Sequence, residues 1–199
     1  MTARSRSEPA NEIETFKTRL LKLLHKKSFK QSPSEIFRLS SGQMSPYYID
    51  AKKTTLDPEA AFLIGKIIFW QIRNLQAKGI GGLTLGADPI SQSVALISFI
   101  EKQPIPAFII RKEPKGHGTQ AWIEGSLPVR ARVVVVEDVV TTAASTLKAI
   151  ERLKEAGHII VKVIALVDRQ EGGERNLAKA GYTLDALFGL DDLKALADS

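Results

Sequence analysis

Hydrophobic and polar residues along the chain follow two patterns. Near the N-terminus, Ile13, Phe16, Leu20, Leu23 and Leu24 recur at helical spacing, which predicts an amphipathic helix over about residues 11 to 27. Further along, unbroken apolar runs such as IPAFII and RVVVV alternate with stretches of helical spacing. Unbroken runs are typical of strands that are covered on both faces, whereas a strand with one face in water alternates apolar and polar residues.

From Asp57 onward the sequence predicts a regular succession of helices and strands. Asp57-Pro58-Glu59 is a helix start, with an N-cap, a proline in the first turn and an acid near the positive end of the helix dipole. This helix should run to about Gln76 and stop at Gly79. A strand and a turn are then expected over IGGLTLGADP, further strands at IPAFIIRKE, RVVVVED and IIVKVIALVDR, and helices at ISQSVALISFIEK, ASTLKAIERLKEAG and about Arg175 to Ala180. Apolar strands separated by amphipathic helices predict a doubly wound α/β fold, a parallel sheet flanked by helices.

The segment SFKQSPSEIFRLSSGQMSPYYIDAKKTTL interrupts this pattern between the first two helices. It mixes Pro, Ser and Gly with short apolar pieces, so short strands and turns are expected. We expect it to form a small N-terminal hood region folded onto the sheet. At 199 residues the chain is long enough for one well-buried domain and short for two. The prediction is a single domain over residues 1–199, with residues 1–11 as a flexible tail.

Composition excludes several classes of protein. The chain is 44% hydrophobic and 25% charged, which is the composition of a soluble globular protein, and it has no apolar run long enough to cross a bilayer. The N-terminal residues have no apolar core, so they do not resemble a secretory signal. With no cysteine, disulfides, thiolate metal sites and a cysteine nucleophile are excluded. A cytoplasmic protein without a membrane partner is expected.

The net charge of +6 is concentrated at one end of the chain. Residues 1–30 hold eight Lys or Arg residues against three acidic ones, so the rest of the chain is nearly neutral. A nucleic-acid surface would show basic stripes across the fold. A solvated basic helix face explains the excess better, and no nucleic-acid partner is expected.

Four polar segments follow the predicted strands: GADP, RKEPKGHGTQAWIEG, EDVVTTAAST and DRQEGGE. In open parallel sheets, ligands bind beyond the carboxyl ends of the strands. The four segments should therefore converge on one cleft.

An acid pair and a hydroxyl-rich turn stand together in this cleft. Glu137 and Asp138 follow a run of four valines, so their backbone is held firmly while their side chains can accept hydrogen bonds from the hydroxyls of a ribose. TTAAST then leads into a helix, whose first amide groups and hydroxyls suit a phosphate. A phosphorylated ribose would satisfy both parts. The alternative is that the acids and threonines only cap the helix.

The segment RKEPKGHGTQAWIEG places cations beside this anion site. Arg111, Lys112, Lys115 and His117 stand among glycines and a proline, with no apolar period that would fix them as a helix. The simplest interpretation of such a charge run is a solvated loop. A mobile basic loop could also close over a polyphosphate, because excluding water strengthens each contact.

Five motifs together resemble one family. VVVVEDVVTTAAST looks like the phosphoribosyl-pyrophosphate signature of type I phosphoribosyltransferases. RKEPKGHGTQAWIEG is similar to the catalytic loop of the orotate-specific members, FRLSSGQMSPYYIDAKKTTL to their N-terminal substrate region, GGLTLGADPI to their second-strand turn and ALVDRQEGG to their base-recognition segment. The matches occur in the family's order over roughly Leu20 to Gly189. The resemblance implies transfer of a phosphoribosyl group to orotate with release of pyrophosphate, with magnesium bound mainly through phosphoribosyl pyrophosphate and without direct protein ligands to the metal.

The resemblance also implies a role for each matching residue. Arg111, Lys112, Lys115 and His117 would bind the pyrophosphate, and part of their loop would reach into the site of a partner in a homodimer. Glu137 and Asp138 would hold the ribose hydroxyls, and Lys115, His117 and Asp138 would be the catalytic residues. The 5-phosphate would be bound by the turn after the strand, which comprises Val139, Val140, Thr141, Thr142, Ala143, Ala144 and Ser145. Thr141 and Arg169 would contact orotate, with Tyr48 packed near the base.

Three positions depart from the family's pattern. Ala143 stands where glycine is usual, and alanine there would cost ~1–2 kcal/mol if the position requires a positive φ. The lysines that some relatives carry at Ser40 or in the GADP turn are missing. Two other functions therefore stay open: a non-catalytic regulator that senses phosphoribosyl pyrophosphate and binds nucleic acid through its basic N-terminal segment, and a transferase for a purine base.

Overall fold

In the computed structural model, residues 8–34, 36–38, 42, 44–114 and 122–197 are described. The helices are α1 (Glu8–Ser28), α2 (Lys52–Thr55), α3 (Pro58–Ile72), α4 (Ala87–Ile100), α5 (Ala144–Glu155), α6 (Gly173–Lys179) and α7 (Leu190–Ala197). The strands are β1 (Phe29–Gln31), β2 (Phe37–Arg38), β3 (Met44–Ser45), β4 (Tyr47–Ile49), β5 (Gly79–Leu83), β6 (Ala107–Ile110), β7 (Ile123–Glu124), β8 (Arg132–Val140), β9 (Ile159–Asp168) and β10 (Leu184–Gly189).

Six strands form the central sheet, in the order β10-β9-β8-β5-β6-β7. The first five are parallel to one another, and β7 pairs antiparallel with β6 at the edge. Helices lie against the sheet, as an α/β fold requires, because each face of a parallel sheet is apolar. The prediction of a doubly wound α/β fold is confirmed. The two edge strands, β7 and β10, and the C-terminal helix α7 were not predicted.

The run of four valines at residues 133–136 of β8 explains why helices pack on both faces of the sheet. Val134 and Val136 belong to a core that also contains residues of α1, α3, α4 and α7. Val133 and Val135 belong to a second core, on the side of α5 and α6. Successive side chains of a strand point to opposite faces, so an unbroken valine run fills both cores at once. The strand that carries the acid pair is therefore held from both sides.

The hood region consists of two small antiparallel pairs. β1 pairs with β4, and β2 pairs with β3. Helix α1 packs against α3 and α7, and its Leu20 and Leu24 are fully buried. The helix begins at Glu8, three residues before the predicted start. Residues 1–7 lie outside the described residues, so the flexible tail over residues 1–11 stays a prediction, and so does the single domain over residues 1–199.

The predicted helix boundaries differ from the observed ones by a few residues. The side chain of Asp57 accepts hydrogen bonds from the amides of Glu59 and Ala60 at 3.1 Å, as an N-cap does, which confirms the predicted start of α3. The helix ends at Ile72 rather than Gln76. Helix α4 begins at Ala87, inside the segment predicted as a turn. The first turn of α4 therefore stands directly at the end of β5.

Candidate active site

A cavity of about 510 Å³ opens at the carboxyl ends of β5, β8 and β9. It is lined by Arg38, Tyr48, Ile49, Lys52, Leu83, Thr84, Leu85, Gly86, Lys112, Glu137, Asp138, Val139, Thr141, Ser145 and Arg169. Each of the four polar segments contributes at least one of these residues. The predicted convergence of the segments on one cleft is thus observed in the structure.

The acid pair lies in this cavity at the end of β8. Glu137 is 7% exposed, and its Oε2 lies 3.4 Å from the Thr146 hydroxyl that donates to it. Asp138 is more exposed, and its Oδ1 accepts a hydrogen bond from the amide of Val139 at 2.9 Å. Burial, followed by the neighbouring charge of Asp138, raises the pKa of Glu137 to about 8. Glu137 therefore favours its protonated form near neutral pH.

Gly86 makes room for Asp138. A Cβ atom at position 86 would lie 2.3 Å from Oδ1 of Asp138, closer than non-bonded atoms can approach. A side chain at this point of the turn between β5 and α4 would therefore force the carboxylate of Asp138 to move. Next to it, the Thr84 hydroxyl donates to Oδ2 of Asp88 at 2.6 Å, which holds the end of β5 to the first turn of α4.

A second cavity, of about 260 Å³, lies against the turn after β8. It is lined by Glu137 and by every residue from Val139 to Thr146. Helix α5 starts here at Ala144, and the first amides of a helix have no partner within the helix. Together with the helix dipole, they make this pocket suitable for an anion such as a phosphate. The alternative, that this turn only caps the helix, does not explain a pocket at this end of α5.

Ala143 adopts a left-handed backbone conformation, with φ 64° and ψ 17°. The position does require a positive φ, so alanine is strained there by ~1–2 kcal/mol relative to a relaxed residue. The residue is 4% exposed, and it packs in the core on the α5 side of the sheet. Packing against that core offsets part of the strain.

Arg169 joins the sheet to the hood. It follows β9 directly and is 3% exposed. Its Nη2 donates to Oγ of Ser45 at 3.2 Å, and both Nη1 and Nη2 lie 3.4 Å from the carbonyl oxygen of Tyr47. Glu171 accepts from the same guanidinium. Close by, the ring of Tyr48 stacks on Phe37 at 5.5 Å, which forms an aromatic wall of the cavity.

The segment RKEPKGHGTQAWIEG is described at its two ends, over residues 111–114 and 122–125. Lys112 lines the cavity, whereas Arg111 stands beside it, with Nη1 3.3 Å from Oε1 of Glu124 on β7. Lys115 and His117 lie outside the described residues, so their predicted roles are untested. Ser40, one of the positions that depart from the family's pattern, also lies outside the described residues.

Sequence reasoning did not single out several cavity residues in the hood and at the end of β5: Arg38, Ile49, Lys52, Leu83, Thr84 and Leu85. Lys52 is the chemically important one, since it adds a cation opposite the acid pair. The available signal was its place in the segment FRLSSGQMSPYYIDAKKTTL, which resembles the family's N-terminal substrate region.

The donors present fit a divalent cation that the substrate would bring. Among the described residues no cluster of three or more His, Asp or Glu side chains is placed to hold a metal by itself. Glu137 and Asp138 still present carboxylate oxygens to the cavity, and Mg²⁺ in proteins is commonly held by one or two carboxylates together with substrate phosphates. In the part of the chain that is described, no helix is long and apolar enough to span a membrane.

Comparisons with known proteins identify the family. Residues 57–186 match the phosphoribosyl transferase domain. The chain is 46% identical to an orotate phosphoribosyltransferase of Aquifex aeolicus, over 88% of this chain and 96% of that one. It is 47% identical to an orotate phosphoribosyltransferase of Nostoc, over 92% and 87% of the two chains.

A solved structure agrees with these sequences. Orotate phosphoribosyltransferase of Mycobacterium tuberculosis, in complex with 5-phospho-α-D-ribosyl 1-diphosphate, superimposes with a TM-score of 0.73 at 33% identity, covering 90% of this chain and 99% of that one. A match at 33% identity over nearly the full length of both chains goes beyond a shared fold. The chain belongs to the orotate phosphoribosyltransferases of the phosphoribosyltransferase family.

Proposed function

We propose that this protein transfers the phosphoribosyl group of 5-phosphoribosyl 1-pyrophosphate to orotate. A ring nitrogen of orotate loses its proton and forms the new bond to the anomeric carbon. The bond from that carbon to the pyrophosphate oxygen breaks, with pyrophosphate taking the electron pair. The product, orotidine 5-monophosphate, is a precursor of UMP. The observation that carries this proposal is one cavity that holds the acid pair of β8, opens beside the pocket at the start of α5 and ends at Arg169.

The ribose phosphate fits the two neighbouring cavities. Glu137 and Asp138 would accept hydrogen bonds from the ribose hydroxyls, and Asp138, the more exposed acid, would stabilise positive charge on the ribose as the leaving group departs. The 5-phosphate would be bound in the pocket lined by residues 139–146. Its charge would be balanced there by backbone amides and hydroxyls.

Orotate would lie at the hood end of the cavity. Arg169 would meet its carboxylate as a planar donor, and Thr141 would hydrogen-bond to the base. Tyr48 lines the same wall and would pack on the ring. A purine base has no carboxylate for Arg169, and the sequence relatives named above are orotate phosphoribosyltransferases. Neither the regulator nor the purine transferase is favoured by any observation of the site.

Pyrophosphate would leave toward the cationic segment. Arg111, Lys112, Lys115 and His117 would bind it, and Lys115 and His117 would act as catalytic residues by stabilising its developing charge. We also infer a homodimer in which this loop serves the partner's site. When bound through the pyrophosphate, Mg²⁺ would supply further positive charge for the leaving group. The absence of cysteine fits a reaction in the cytoplasm.

A turnover assay tests this function. Purified protein is mixed with phosphoribosyl pyrophosphate, Mg²⁺ and orotate, and the ultraviolet absorbance of orotate is followed. We expect the absorbance to fall with wild-type protein and to stay constant with Asp138→Asn or Lys115→Ala. Asp185→Asn is the matched control, because Asp185 lies near the start of β10, at the far end of the sheet, and pairs with Lys162. No turnover by folded wild-type protein would refute the proposal.

A further inference from the structure

The hood contributes a cation to the cavity that the proposed roles leave unused. Lys52 is the first residue of α2, and it lines the cavity together with Tyr48, Gly86 and Asp138. Its side chain is 45% exposed, so the ammonium group is accessible from the cavity. Lys53, the next residue of the same short helix, is exposed and does not line the cavity.

Lys52 is held in place by one acidic neighbour and attracted by another. Its Nζ lies 3.0 Å from Oδ1 of Asp50, the residue that follows β4. The hydrogen bond to Asp50 and the charge of Asp138 both raise the pKa of Lys52, so the group stays positively charged. An ammonium has three donors, and the contact with Asp50 leaves others for a further acceptor.

Two other cations that line this cavity already have proposed roles: Arg169 is assigned to the orotate carboxylate and Lys112 to the pyrophosphate. Gly86, which faces Asp138, has no side chain to offer. Lys52 is therefore placed to meet a negative charge that enters between Tyr48 and Asp138. Both substrates of the proposed reaction carry such charges, orotate as a carboxylate and phosphoribosyl pyrophosphate as its leaving group.

We propose that Lys52 is a substrate-binding residue that donates to an anionic oxygen of a substrate next to Asp138. The inference rests on the proposed function, since it assumes those two substrates. The shared chemistry is an oxygen anion, and it has two possible sources, the pyrophosphate group and orotate. Asp50 would act as the positioning residue that aims the ammonium group into the cavity.

The experiment compares Lys52→Ala with Lys53→Ala, which removes the same charge from the same helix outside the cavity. The dissociation constant of phosphoribosyl pyrophosphate with Mg²⁺ is measured by calorimetry without orotate. The KM for orotate is then measured at saturating phosphoribosyl pyrophosphate. In Lys52→Ala a charge-assisted hydrogen bond is lost. Either the dissociation constant of phosphoribosyl pyrophosphate or the KM for orotate should therefore rise on the order of tenfold. Lys53→Ala should match wild type, and Lys52→Arg should recover part of the affinity.

The two measurements assign the source of the anion. A weaker dissociation constant for phosphoribosyl pyrophosphate would place the pyrophosphate group at Lys52, and a raised KM for orotate alone would place the base there. Equal constants for Lys52→Ala and Lys53→Ala, with wild type active, would overturn the inference while the proposed function stands. If wild type itself fails to turn over orotate, the proposed function is what fails, and the calorimetric comparison still tests Lys52 against pyrophosphate.

A double variant separates substrate binding from simple charge balance. If Lys52 served only to neutralise Asp50, then Asp50→Asn combined with Lys52→Ala would restore both constants to wild-type values. Under the proposal the double variant stays impaired, because the donor to the substrate is still missing. Recovery in the double variant would therefore also overturn the inference.

Discussion

The guanidinium of Arg169 donates twice to a single oxygen of Glu171, from Nε at 3.0 Å and from Nη2 at 2.8 Å. Only 3% of Arg169 is exposed, so this ion pair is largely shielded from water on the arginine side. Glu171 thereby fixes the plane of the guanidinium. A fixed planar donor can select a planar carboxylate, whereas a flexible ammonium cannot do so equally well.

Arg169→Lys should weaken orotate binding without removing the positive charge. We expect the KM for orotate to rise on the order of tenfold, since the two-pronged geometry is lost, and the affinity for phosphoribosyl pyrophosphate to change little. Steady-state kinetics measure both. Arg152→Lys is a matched control, because Arg152 lies over the ring of Trp122, outside the cavity. Equal effects of the two substitutions would contradict the role of Arg169.

Ala143→Gly should leave both stability and activity nearly unchanged. Glycine relieves ~1–2 kcal/mol of left-handed strain, but it loses a buried methyl worth about 0.8 kcal/mol and adds roughly 0.4–1 kcal/mol of unfolded-state entropy. These effects nearly cancel, so urea unfolding should shift by less than about 1 kcal/mol. Because the residue is buried against the core, kcat/KM should change by less than about threefold. A tenfold rise would mean that the methyl group hinders the phosphate.

Glu137 should make the unliganded protein less stable as the pH rises. Its pKa is about 8 in the folded state and near the ordinary 4.5 in the unfolded chain. Between these values the folded state retains a proton that the unfolded chain releases, so the free energy of unfolding falls from about pH 4.5 to about pH 8. The glutamine of Glu137→Gln cannot ionise, so the variant should lack this pH-dependent decrease in the free energy of unfolding.

Urea unfolding of both proteins across this pH range checks the prediction. Titrating groups away from the acid pair contribute equally to both proteins, so the difference between variant and wild type reports the acid pair alone. The variant should gain stability relative to wild type as the pH rises. A constant difference would show that the carboxyl is not shifted.

Gly86→Ala should displace Asp138. The new methyl would lie 2.3 Å from Oδ1, and the carboxylate, rather than the backbone turn, is the part that can move. A displacement of about 1 Å at a reacting centre lowers rates on the order of a hundredfold, so kcat/KM should fall by about that factor while the thermal midpoint changes little. In an Asp138→Ala background the same substitution should add little. If Gly86→Ala lowered kcat/KM a hundredfold in that background too, its effect would not act through Asp138.

The sheet and the acid pair could be predicted from the sequence because their signals are local. Four valines in a row indicate a strand buried on both faces, and Glu137 and Asp138 follow them directly. The strands of the hood, and the hood side chains that enter the cavity, could not be predicted in the same way. Its strands are two or three residues long, and they are positioned by distant partners, as when Ser45 meets Arg169 across 124 positions of sequence. No local pattern tells which face of such a segment, and hence which lysine, enters the cavity.

The double burial of β8 has a consequence for how this protein can diverge over time. A change at any of the four valines at residues 133–136 reaches one of the two cores, and even Ile-to-Val-sized changes in a core cost about 0.5–1.5 kcal/mol. The turns and the hood carry no such double constraint. We expect descendants of this chain to keep the ribose-binding end nearly unchanged, and to acquire new acceptor preferences by substitution in the hood.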